Sequence, residues 1–290
     1  MSDVAAASAE GPLGIICGGG SIPSAVADAV ARRGRRVVLF PLVGWADAAA
    51  AARYPHHWIH VGQFGRFCRL ARAEGARDIV FIGTLLRPAV SQVRLDWHTI
   101  RVFPRIMRAF RGGDDHLLSG IGKIFEDNGF RLVGAHEVAP EILMAEGLVG
   151  RRTPSARDRD DIQRGLAVIS AIGRFDVGQA VVVADGHVLA VEGAEGTDRM
   201  LARIADLRRD GRIRVPAGVG VLVKAPKPTQ DQRFDLPTIG PDTVEGATRA
   251  ALAGIAILAG EAIAVDPQRM AALADAANLF VIGVARGADA

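Results

Sequence analysis

Several things are scarce in this sequence. Its 290 residues include two cysteines, one tyrosine and three tryptophans, aromatics make up 5%, and 35 basic against 32 acidic residues leave a net charge of +3. Cys17 and Cys68 are too few to staple a chain of this size, so a reduced cytoplasm is expected rather than an oxidising compartment. Nearly balanced charge with few stacking rings argues against nucleic acid as a partner. Residues 1–14 carry acidic Asp3 and Glu10, with no basic start and no continuous apolar run. A frayed tail is expected there, not a signal peptide. Residues 246–265, the most apolar long stretch, are interrupted by Arg249 and Glu261 and read as a buried helix rather than a membrane span. Internal repeats and low-complexity tracts are also missing.

A hydrophobic share of 49% against 23% charged residues describes a folded globular chain, and at about 150 residues per domain the length suggests two domains. The 34 glycines exceed the usual share of about 7% and should mark turns and close backbone approaches. An apolar run at 13–17 enters Gly18-Gly19-Gly20-Ser21, and a helical pattern follows over 23–33. Strand patterns at 36–41 and 78–83, separated by a helix at 64–74, give the alternation of a parallel sheet with crossover helices. Residues 131–133 are expected to close that sheet. The fold class read from this is α/β, with an N-terminal Rossmann-like open parallel sheet domain over 12–139. A linker at 140–154 follows, and then a C-terminal mixed α/β domain over 155–286. The second half has a hairpin over 179–192 turning at Asp185-Gly186, a helix over 199–208, a strand at 219–223 and a long polar loop over 224–240.

Five groups of residues have chemical content. The Gly18-Gly19-Gly20 turn precedes a helix, where unpaired backbone N–H groups and the helix dipole favour phosphate; a plain tight turn is the ordinary alternative. It is not a dinucleotide fingerprint, because Pro23 stands where a third glycine would, and no acid ends the second strand. Glu192, Glu195 and Asp198 in one loop, with Lys224, Lys227, Asp231, Arg233 and Asp235 in another, form the acid and base mixture that metal-assisted phosphoryl transfer uses. A pair of solvated loops is the alternative, and Thr197 is expected to cap the following helix. Asp114 and Asp115, beside Gly112-Gly113, serve either as a helix cap or as ligand contacts. His56, His57 and His60 around Trp58 sit on an irregular segment and make a poor zinc set. Arg101, Arg105 and Arg108 recur at helical spacing, with Pro104 expected to delay the helix start. They form either an ordinary amphipathic helix or one attracted to anionic headgroups.

Five stretches together resemble the LpxI family of UDP-2,3-diacylglucosamine pyrophosphatases of lipid A synthesis. They are residues 14–23, 112–118 (Gly-Gly-Asp-Asp-His-Leu-Leu), 176–183, 191–198 (ending Glu-Gly-Thr-Asp) and 224–240, which holds Lys-Pro-Thr-Gln-Asp-Gln-Arg-Phe-Asp-Leu-Pro. They are spread over nearly the whole chain. The resemblance implies hydrolysis of UDP-2,3-diacylglucosamine to UMP and 2,3-diacylglucosamine 1-phosphate, with Mg2+ and with water attacking the sugar-side phosphorus. It also implies a lipid-linked UDP-sugar as partner, a cytoplasmic enzyme peripheral to the inner membrane, and leaves a homodimer open. Motif match and loop chemistry place Asp231, Lys224 and Asp235 as catalytic. Gly18, Gly19, Gly20, Ser21, Asp114, Asp115, Gly196, Thr197, Lys227 and Arg233 are placed on substrate, and Glu192, Glu195, Asp198 and Asp231 on Mg2+. A nucleotide-sugar transferase or reductase, or a non-catalytic lipid-nucleotide binding protein, remains the alternative.

Overall fold

A computed structural model of the chain describes residues 10–85, 93–109, 114–227, 231–234 and 236–286, with the backbone alone at 106, 108, 109 and 114–119. The chain divides into two compact units. Unit 1 is Met1–Ile142 with Asp231–Asp235, and unit 2 is Leu143–Gln230 with Leu236–Ala290. The expected linker at 140–154 thus holds the last residues of unit 1 and the first of unit 2, including a short strand in the second sheet.

Unit 1 is an open parallel sheet. Strands β1 (Leu13–Cys17), β2 (Val37–Pro41), β3 (Asp78–Ile82) and β4 (Arg131–Leu132) lie in the order β2-β1-β3-β4, every pair parallel. Helix α1 (Ile22–Arg32) crosses from β1 to β2. A one-turn helix α2 (Ala48–Ala51) and α3 (Phe64–Ala73) lead from β2 to β3, while α4 (Trp97–Ala109) and α5 (Asp114–Asp127) lead from β3 to β4; a one-turn α6 (Ala135–Val138) follows. The order reverses between β1 and β3, so their carboxyl ends form a switch point where α/β sheets bind ligands. Helix α4 begins at Trp97 and keeps Pro104 inside it, so the proline does not set its start as expected. The core is phenylalanine-rich. Phe40, Phe67, Phe125 and Phe130 are buried together, Phe64 and Phe81 pack against them, and Phe67 and Phe125 have ring centroids 5.2 Å apart.

Unit 2 holds a six-stranded mixed sheet in the order β5-β12-β10-β8-β6-β7. Its strands are β5 (Gly147–Leu148), β6 (Ala180–Ala184), β7 (His187–Val191), β8 (Val221–Lys224), β10 (Gly254–Leu258) and β12 (Phe280–Val284). A two-residue strand, β9 (Thr238–Ile239), pairs in parallel with β11 (Ile263–Ala264). Strands β8, β10 and β12 run parallel, and β5, β6 and β7 supply the antiparallel pairings. Helix α7 (Ala156–Ile172) buries Ile162 and Ile169 with Val181, Val223 and Phe280. Helices α8 (Thr197–Arg209), α9 (Pro241–Arg249) and α10 (Pro267–Ala276) bury Met200, Leu201, Val244, Ala247 and Met270 in a second cluster with Val182, Leu222 and Ile255. The stretch 246–265 is therefore not a helix. It holds the end of α9, the central strand β10 and β11, because Ala251 at φ 51° breaks the chain and the apolar run that follows is only strand length. Asp185 and Gly186, at φ 53° and 75°, make the expected hairpin turn. Asp161, 1% exposed, holds that turn by accepting from both backbone N–H groups, at 2.9 and 2.7 Å. Among the described residues no helix is long and apolar enough to cross a membrane.

Candidate active site

In unit 2 the polar residues gather at the carboxyl end of β8, where Glu192 leaves β7 and α8 begins. Lys224, the last residue of β8, is 5% exposed, and its Nζ donates to Thr197 Oγ1 and to the Thr238 carbonyl, both at 2.9 Å. The Thr197 hydroxyl donates to Glu192 Oε1 at 2.7 Å, while Glu192 Oε2 accepts from the Gln179 backbone N–H at 2.9 Å. A buried ammonium, a hydroxyl and a carboxylate are thereby chained together beside the N-terminal N–H groups of a 13-residue helix. Each charge keeps a partner, as burial requires. Thr197 is not the helix cap that its sequence position suggests. Gly196, at φ 79°, takes that place without a side-chain bond, and the Thr197 hydroxyl is spent on the buried chain. Gly178 is obligatory here, because a Cβ on it would stand 2.4 Å from the Glu192 carbonyl oxygen.

The other acids of the loop are placed differently. Glu195 pairs with Arg203 at 2.7 Å, and backbone N–H donation together with that guanidinium lowers its pKa. Asp198 is exposed in the first turn of α8, where the dipole favours an acid. Lys227 pairs with Asp176, which sits in the left-handed region at φ 56°.

Asp231 and Arg233 belong to unit 1. Arg233 makes a two-pronged contact with Asp231, Nε to Oδ1 at 3.0 Å and Nη2 to Oδ2 at 2.7 Å, and its Nη1 reaches Glu126 at 2.9 Å. This guanidinium, first among the causes, holds the Asp231 carboxyl below its usual range, and His136 adds to the effect. Phe234 anchors the segment beside Phe81, with centroids 5.6 Å apart, and against Gly122, where a Cβ would come within 2.9 Å of its ring. Asp235 lies outside the described residues, as do the side chains of Asp114 and Asp115, which open α5.

The glycine turn stands at the unit 1 switch point, but its donors are partly spent. Gly18 N–H donates to the Ile82 carbonyl at 2.9 Å, and Gly19 and Thr84 exchange two backbone bonds at 2.8 and 2.9 Å. Gly18 and Gly83 approach so closely that a Cβ on Gly18 would meet the Thr84 carbonyl at 2.5 Å. Gly20, at φ 89° with open space around it, and exposed Ser21 lead into α1. The histidine segment lies along β2 through bridges at Leu39 and Leu42 and is not free of the sheet. His57 faces Glu74 at 2.7 Å, and His56 bonds the Tyr54 carbonyl.

Among the described residues, no three histidine, cysteine, aspartate or glutamate side chains stand close enough to cage a metal. Mg2+ commonly binds through one or two carboxylates plus substrate phosphates, so a diphosphate site does not require such a cage. Asp198 fits that role, whereas Glu192 has both oxygens engaged. The sequence reading missed Gln179, Glu126 and His136. Gln179 carries a weak signal, standing just before a strand beside Gly178. Its Oε1 and His136 Nδ1 are buried without a hydrogen-bond partner among the described residues.

The family model of the LpxI N-terminal domain matches residues 12–142, and that of the LpxI C-terminal domain matches residues 145–282. The UDP-2,3-diacylglucosamine pyrophosphatase LpxI of Caulobacter vibrioides is 43% identical over 272 residues, which cover 94% of this chain and 97% of that protein.

Proposed function

The chain belongs to the LpxI family, and on that premise we propose that it hydrolyses the pyrophosphate of UDP-2,3-diacylglucosamine to UMP and 2,3-diacylglucosamine 1-phosphate. The observation that carries this reading is the likeness to the Caulobacter pyrophosphatase along nearly the full length of both chains. The buried Lys224 at the start of α8 supports it from the chemistry, since a desolvated cation beside helix N–H groups favours a phosphate whose charge grows during reaction.

In this reading water attacks the sugar-side phosphorus. The bond from that phosphorus to the bridging oxygen breaks, and UMP departs with the bridging oxygen. Lys224 and Lys227 neutralise phosphate oxygens, and Thr197 and Glu192 hold Lys224 in place. Arg233 exchanges its carboxylate partner for phosphate, which releases Asp231 to orient the water and take its proton. Asp235 assists. Gly20, Ser21 and the start of α1 receive part of the nucleotide, with Gly18 and Gly19 shaping the turn, and Asp114, Asp115 and Gly196 line the substrate. Mg2+, when bound through Asp198 with Glu195 and Glu192 near it, supplies charge neutralisation on the diphosphate. Acting on a membrane lipid, the enzyme works in the cytoplasm, peripheral to the inner membrane.

The test is turnover of UDP-2,3-diacylglucosamine in 18O-labelled water, with Mg2+ and with a chelator. The expected result is unlabelled UMP, label in the sugar 1-phosphate, and loss of turnover on chelation. Label in UMP would overturn the attacked phosphorus, undiminished turnover under chelation would overturn the metal, and failure to release UMP would overturn the hydrolase.

A further inference from the structure

Among the described residues, six of the nine large apolar side chains left exposed lie between positions 85 and 107: Leu85, Leu95, Trp97, Ile100, Phe103 and Met107. The last four share one side of α4. At 100° per residue they span an arc of about 120°, with buried Val102 opposite it and buried Thr99 beside its edge. Trp97 is 69% exposed and Ile100 47%, so this face is left uncovered among the described residues.

The charge around it has one sign. Helix α4 contains Arg101, Arg105 and Arg108 and no acid, and exposed Arg94 precedes it. The Arg101 guanidinium stands 5.6 Å from the Trp97 ring centroid. The nearby acids Asp96 and Asp127, whose side chains are described, both have partners. Asp96 accepts from the Thr99 backbone and hydroxyl and from the Arg66 N–H, and Asp127 pairs with Arg105. An apolar stripe ending in a tryptophan and edged by arginines is the pattern of a helix lying in a membrane interface. A two-fold contact between copies would instead set Arg94 and Arg101 close to their own counterparts.

We infer that α4 is the element that seats this protein on an anionic lipid surface, with Trp97, Ile100, Phe103 and Met107 entering the headgroup region and Arg94 and Arg101 meeting lipid phosphates. This rests on the peripheral membrane association proposed above and owes nothing to the phosphate chemistry.

The experiment is co-sedimentation of the full chain with vesicles of phosphatidylcholine, and with vesicles in which one lipid in three is phosphatidylglycerol, neither containing substrate. The wild type is expected to bind the anionic vesicles and to be released by high salt. Ile100→Ser with Phe103→Ser should weaken binding about tenfold or more. Arg101→Glu should weaken it roughly thirtyfold on anionic vesicles alone, and Phe175→Ser, an exposed apolar position elsewhere, should change nothing. Both α4 variants should keep wild-type turnover on detergent-dispersed substrate, which also shows that they are folded. Equal binding to both vesicle types, or undiminished binding of the double variant, would overturn the inference. So would a dimer that the double variant breaks without any vesicle binding in the wild type. Vesicle binding without release of UMP would remove the hydrolase and leave α4 standing; turnover without vesicle binding would do the reverse.

Discussion

Lys224 Nζ and Thr197 Oγ1 stand 2.9 Å apart at the end of β8, and the same hydroxyl donates to Glu192 at 2.7 Å. One small side chain thereby serves a buried cation and a buried carboxylate at once. Thr197→Val takes a partner from both. The expected cost is about 1–3 kcal/mol in urea unfolding, with a fall in turnover. Lys224→Met, which removes the cation itself, should lower turnover about a hundredfold to a thousandfold. Wild-type turnover in a folded Lys224→Met protein would remove this chain from the catalytic account.

The Asp231 and Arg233 pair has a pH signature. Because the folded carboxyl titrates below its usual value of about 3.9, its contribution to stability is complete above that value and disappears as pH falls through the lowered one. Stability from this pair should be level from about pH 5 upward. In Arg233→Gln the carboxyl loses its main cause of depression. The stability gap between wild type and variant, measured by denaturant unfolding, should be widest near neutrality and shrink below about pH 4. A gap that grew on acidification would contradict the pairing.

Gly18 and Gly20 separate two reasons for glycine within one turn. Alanine at 18 drives a Cβ against the Thr84 carbonyl, backbone that cannot step aside, and should cost about 1–3 kcal/mol while prising apart the loops after β1 and β3. Alanine at 20 meets open space and carries only the strain of φ 89°, about 1–2 kcal/mol. Thermal melts rank the two. Uridine nucleotide binding should suffer more than the melt predicts at 20, where the backbone is exposed toward α1.

Both thiols should be inert in the native state. Burial pushes Cys17 to about 12 and Cys68 to about 11, so the reactive thiolate is scarce at neutral pH. A thiol reagent should modify the chain only in denaturant, and rapid native labelling would show that the β1 or α3 environment opens.

How much of this is legible in the sequence depends on how local the cause is. The strand Leu13–Cys17, the glycine turn after it and the Asp185-Gly186 hairpin all follow from neighbours a few positions apart, and the structure has them where the pattern puts them. The stretch 246–265 misleads because five apolar residues look alike in a buried helix and a central strand; what decides is the left-handed Ala251, which alanine does not announce. Thr197 reads as a cap because capping is a local rule, yet its hydroxyl is claimed by Lys224, 27 positions away. The 224–240 segment, continuous on paper, is shared between two bodies by where Phe234 finds phenylalanine neighbours, which spacing alone does not encode.

That sharing governs how the chain must be made. The first body is not finished when the ribosome has delivered residue 142, because five of its residues are still about ninety positions away. Until they arrive, Phe81 and Gly122 lack the ring that covers them and Glu126 lacks its arginine. A fragment cut after Ile142 would therefore be a torso with an open flank, whereas a gene that carried residues 231–235 on a short tether behind it would restore the missing piece.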